Sequence, residues 1–87
     1  MHDIEGKTVL KIMESAKKLF PGKTVSVTKT YYDIPQVDGT SNFEIQYTIS
    51  IKDHVTKTVC SFAHLIRVCK LIFETRQLEL LEEKNNA

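Results

Sequence analysis

SFAHLIRVCKLIFETRQLELLEEK, residues 61–84, has the spacing of one long helix, and the rest of the architecture follows from it. Phe62, Leu65, Ile66, Cys69, Ile72 and Phe73 recur at steps of three and four, so they share one face, which Leu80 extends. Val68, Leu71 and Leu78 fall nearly opposite, on a line with His64 and Thr75. Ser61 stands where an N-cap belongs. A helix in a small monomer needs one apolar face. A second one asks what covers it. The polar end, Glu82 to Ala87, is expected to fray, leaving residues 83–87 loose like residues 1–3.

Working back from this helix, Phe43 to Lys52 is the clearest strand. Phe43, Ile45, Tyr47, Ile49 and Ile51 alternate with Glu44, Gln46, Thr48, Ser50 and Lys52. Val55 to Val59 reads as a short strand after a turn at Asp53-His54. Thr24 to Tyr32 is β-branched and aromatic, a further strand, with Val25, Val27 and Tyr31 on its inward side. Pro35 to Asn42 has the composition of a loop. Between Ile4 and Phe20 the period returns to helical. Val9, Ile12, Met13, Ala16, Leu19 and Phe20 face one way and Lys7, Lys11, Glu14 and Lys18 the other. Asp3 or Thr8 is the candidate cap, and Pro21-Gly22 ends the helix.

The expected fold is therefore α+β, in the order α-β-β-β-α. Short connections favour an antiparallel sheet of order 1-2-3, with both helices on its apolar face. Strands 1 and 3 are the edges. Lys29 and Lys57 point inward there, a device that discourages stray pairing. With 87 residues, 41% apolar and 26% charged, the chain is a single domain, 1–87, with a modest core.

Charge excludes little but favours nothing electrostatic. Twelve basic against eleven acidic side chains leave +1, too little to draw in nucleic acid or an anionic membrane. The balance is even at both ends: +1 over residues 1–20, zero over residues 61–87. The two cysteines, Cys60 and Cys69, lie about 13 Å apart if helical, beyond disulfide reach. Reduced thiols and the lack of a basic-then-apolar start fit a cytoplasmic protein. No uncharged run is long enough to span a bilayer.

Chemistry-bearing patterns are sparse. Cys60 and His64, with His54 and Cys69 nearby, lack the paired spacing of structural zinc ligands, so no metal or cofactor is expected. No nucleophile elbow, phosphate loop, dinucleotide fingerprint or metalloprotease helix is present, so no enzyme is expected. The second sheet face, Thr24, Ser26, Thr28, Thr30, Glu44, Gln46, Thr48, Ser50, Thr56 and Thr58, is hydroxyl-rich and carries one aromatic, Tyr32. A face that stacks single-stranded bases would carry more.

The element order over residues 4–80 resembles the layout of a double-stranded RNA-binding domain. That family places lysines at the start of its last helix to grip phosphates, where this chain has Ser61-Phe62-Ala63-His64-Leu65. Its first strand–strand loop carries a Gly-Pro-x-His element, where this chain has Pro35-Gln36-Val37-Asp38-Gly39. The likeness is one of layout.

The leading expectation is a non-catalytic binding module acting by protein–protein contact through the last helix, at His64, Val68, Leu71, Thr75 and Leu78. These step by 4, 3, 4 and 3, a heptad seam two heptads long. A homodimer or a protein partner is expected to cover it. An accessory or inhibitory protein of the kind carried by phages or mobile elements suits this size. The alternative is nucleic-acid binding through Lys7, Lys11 and Lys18 of the first helix.

Overall fold

In the computed structural model, which describes residues 4–86, α1 (Ile4–Leu19) leads into β1 (Val25–Pro35). Then come β2 (Ser41–Ile51), β3 (Val55–Val59) and α2 (Phe62–Asn85). The three strands form one antiparallel sheet of order β1-β2-β3, with both helices packed on its apolar face. This is the α-β-β-β-α arrangement read from the sequence.

The register explains the layering. Val25 lies opposite Ile51, and Val27 opposite Ile49. Ile51 lies opposite Val55, and Tyr47 opposite Val59. These odd-numbered residues share the face beneath the helices. One buried cluster joins Ile12, Tyr47, Ile49, Val59, Leu65 and Cys69, and a second joins Ala16, Phe20, Val25 and Ile51. On the opposite face the hydroxyls pair across strands: Thr48 with Thr58 at 2.9 Å, Ser50 with Thr56 at 3.1 Å. Each of these four hydroxyls thus has its partner on the neighbouring strand.

Helix ends are set by local bonds. The Ser61 hydroxyl accepts from the His64 N–H at 3.1 Å, the N-cap read from the sequence. Thr8 is no cap. It sits inside α1, where its hydroxyl donates to the Ile4 carbonyl at 2.9 Å. Asp3, the other candidate, lies outside the described residues. Gly22, at φ 79°, follows α1 in the left-handed conformation that glycine adopts freely. At the far end α2 stays helical to Asn85, past the Glu82 where fraying was expected.

Arg76 was not singled out by its sequence, yet it joins the two helices. Its Nε donates to the Leu19 carbonyl at the C-terminus of α1, its guanidinium lies 5.1 Å from the Phe20 ring centre, and it pairs with Glu79 at 3.2 Å. A cation placed at the end of a helix meets the negative pole of its dipole. Arg76 lies on the same 3–4 stripe as Cys69, Ile72 and Leu80, so its position carried the signal and its charge concealed it.

The strands run further than their sequence suggested. β1 continues to Pro35 and β2 begins at Ser41, because Asp33 pairs with Phe43, Ile34 with Asn42 and Pro35 with Ser41. Only Gln36–Thr40 remain as turn. The Gly39 N–H donates to Gln36 O at 3.1 Å, and the Gln36 N–H to Thr40 O at 2.8 Å. Gly39 takes φ 88°, and the Asp38 carboxylate accepts from both the N–H and the hydroxyl of Thr40. Those bonds, the hydroxyl's first, hold the Asp38 carboxyl below its usual pKa. A turn closed by a left-handed glycine is a common hairpin connection.

Candidate functional site

β1 and β2 are each 11 residues long, about 37 Å at strand rise, whereas α1 has 16 residues, about 24 Å at helical rise. α1 is therefore too short to cover the hairpin. β3 is shorter still and pairs only with Tyr47–Ile51. Beyond this, Tyr31–Pro35 and Ser41–Ile45 form a two-stranded arm with neither helix nor third strand against it. Every residue from Tyr31 to Ile45 is exposed. The chain measures 61 × 32 × 20 Å with a radius of gyration of 16.4 Å, against about 12 Å for a compact chain of this length.

The arm's inner face continues the apolar face of the sheet. Tyr31 pairs with Ile45 and Asp33 with Phe43, so Tyr31, Ile45 and Phe43 sit in line with Tyr47 and Ile49. Their alternation predicts burial. Instead Phe43 is 78% and Tyr31 69% exposed, while Ile49 on the same strand is 0%. The correction is one of cover, not of facing: the side chains point inward as expected, at a place the helices do not reach. An apolar two-stranded ribbon gains little stability on its own in water.

At the root of the arm a polar cluster closes the core. Lys29 Nζ lies 3.0 Å from Glu5 Oε2, and the Tyr47 hydroxyl donates to Glu5 Oε1 at 2.9 Å. The Lys29 ammonium also lies 5.5 Å from the Tyr31 ring centre and 5.4 Å from that of Tyr47. Its bond to Glu5, then its contacts with Tyr47 and Tyr31, hold its pKa above the ordinary lysine value. Lys29 is an inward-pointing charge on an edge strand, as its spacing implies. It is also the bolt between α1 and the sheet. Glu5, Gly6, Val9, Val27, Lys29, Tyr47 and Phe62 line an open recess of about 290 Å³ here, next to Tyr31.

The chain matches no protein-family model, no curated protein and no solved structure. Its surface chemistry therefore has to carry the functional reading.

The expected seam on α2 is only partly an outer face. Val68 is half-buried and packs against the core with Phe62 and Ile72. The reason is angular: on a helix Val68 lies about 60° from Leu65, inside the buried arc. His64 and Thr75 are exposed, as are Leu71 at 65% and Leu78 at 62%. Leu71 and Thr75 border a shallow hollow with His54, Val55 and Ile72, so this line flanks the β2–β3 turn.

Lys7, Lys11 and Lys18 are exposed on α1, with Glu14 among them. Charge is even along the chain ends but not in space. Residues 30–46 carry Asp33, Asp38 and Glu44 and no lysine or arginine. The arm is acidic and apolar, and α1 is basic.

Cys60 is exposed and Cys69 buried, both as free thiols. Burial pushes the Cys69 thiol up to about 11. Among the described residues no three of His, Cys, Asp and Glu gather as metal ligands, and no helix is long and apolar enough to cross a membrane.

Proposed function

We propose that the protein is a non-catalytic protein-binding module whose main contact surface is the inner face of the β1–β2 arm. The observation that carries this is the exposure of Phe43 and Tyr31 on a sheet face that is otherwise core. Contiguous exposed apolar surface of this kind marks interaction sites, and aromatic side chains dominate the energetics of such contacts. The recess between Glu5, Val9, Lys29 and Phe62 adjoins that face and suits a single inserted side chain.

A photo-crosslinker placed at position 43 tests this in the native host, with position 28 on the hydroxyl face as control. Discrete adducts from position 43 and none from position 28 support the arm. Adducts that are absent from 43, or equal from both positions, refute it.

Exposure of Leu71 and Leu78 favours a second reading, in which the α2 flank is the contact surface. Crosslinking from position 78 distinguishes the two. Nucleic-acid binding through Lys7, Lys11 and Lys18 has weaker support. The start of α2 offers only His64 as a basic group, and the acidic arm would repel phosphates.

A further inference from the structure

We propose that the arm is covered by a second copy of this chain, each arm lying across the outer face of α1 in the other copy. This rests on the arm being the contact surface and names what covers it. Charge complementarity is the first argument. The inner face of the arm brings Asp33, and its turn Asp38, with no basic residue, and the outer line of α1 brings Lys7, Lys11 and Lys18 against Glu14. The apolar content also matches. Ile4 and Leu10 of α1 are exposed among those lysines, where they can meet Phe43 and Tyr31.

Length agrees as well. Tyr31 to Pro35 spans about 17 Å at strand rise, and Ile4 to Lys18 about 21 Å at helical rise. The inner face of the arm continues the pleated face on which the chain's own helices pack further along. A helix from a second copy would continue that helix layer.

Geometry supplies the reciprocity. Glu5, at the start of α1, touches Lys29 and Tyr47 at the arm's root. A two-fold axis perpendicular to the arm therefore brings each arm over the other copy's α1, with the helices of both copies in one layer between two sheets. In such an isologous contact both surfaces are buried twice. Two aromatics of about 150–250 Å² each, mostly exposed, supply roughly 300 Å² per arm face. The four surfaces together bury about 1,200 Å², the lower end of the stable-interface range, whereas one arm docked one way buries about half of that.

Charge reversal in two halves tests the pairing. One variant carries Asp33→Lys, the other Lys7→Glu with Lys11→Glu. Sedimentation velocity should find the wild type at twice the 10.0 kDa chain mass at high micromolar concentration. Each variant alone should dissociate at least tenfold more readily, since like charges then face each other. Mixed together they should form a heterodimer, because each arm now meets an α1 of opposite sign. All three positions are exposed and outside the core, so circular dichroism melts should be retained.

A wild type that stays monomeric overturns the proposal, as does a mixture that fails to associate. If the reversed variants dimerise like wild type while loss of Phe43 and Tyr31 dissociates them, the arm is a contact surface but α1 is not what it contacts. That outcome removes this inference and leaves the binding reading standing.

Discussion

Ile49→Ala removes three carbons from the middle of the central strand. Ile49 is fully buried, opposite Val27 on β1 and Lys57 on β3, beneath Leu65 and Cys69 of α2. Such truncations cost about 2–5 kcal/mol, with the larger values where the surroundings cannot close in. Here the cavity floor is a hydrogen-bonded sheet and its roof is α2, bolted to α1 by Arg76, so the cost should be about 3–4 kcal/mol. A domain of 87 residues has about 4–13 kcal/mol in total, so the loss is about a quarter of that or more. Equilibrium urea melts measure it, with an unchanged m value as the condition for comparison. Ser50→Ala, one residue away on the hydroxyl face, should cost under about 1 kcal/mol. An Ile49→Ala loss below about 1 kcal/mol would refute the inward face and imply a register slipped by one.

Arg76→Ala should destabilise by about 1–2 kcal/mol, because the Leu19 carbonyl loses a charged donor and α1 loses its C-terminal cation; thermal melts report this, and Arg76→Lys should recover only part. Stability should fall as pH rises from about 9 to about 11, since Cys69 keeps its proton in the fold up to about 11 while the unfolded thiol ionises near 9.0. Cys69→Val should flatten that slope in urea melts run across the same pH range. Leu71→Glu with Leu78→Glu should leave the melt within about 0.5 kcal/mol of wild type, as both side chains are largely exposed. If the arm is the contact surface, that double variant also keeps its association state by sedimentation.

Much of the fold was legible because each element has its own period. The alternation from Phe43 to Ile51 and the 3–4 stripes of both helices name the same core that the structure buries at Ile12, Ile49, Leu65 and Cys69. The arm was not legible from pattern, since period 2 reports which way a side chain points and not what lies over it. Phe43 and Ile49 look alike in sequence and differ only in cover. Arithmetic on lengths held the missing signal: a 16-residue helix cannot roof an 11-residue hairpin strand. Pro35 also hid the strand ends. It reads as loop, yet proline is tolerated at the end of an edge strand. The α2 seam was half legible. Heptad steps caught the exposed Leu71 and Leu78, but they included Val68, because a 3.5-residue line drifts around a 3.6-residue helix into the buried arc.

The most direct measurement of the central claim pairs two readings on one variant, Tyr31→Ser with Phe43→Ser. Neither side chain belongs to the buried clusters, so the urea midpoint at low protein concentration should match wild type within about 0.5 kcal/mol. Sedimentation at high concentration should show association weakened by at least tenfold, because Phe43 and Tyr31 are the exposed aromatics of the arm's inner face. A variant that unfolds several kcal/mol more easily, or one that still associates as a dimeric wild type does, would contradict the assignment of the arm as the binding surface.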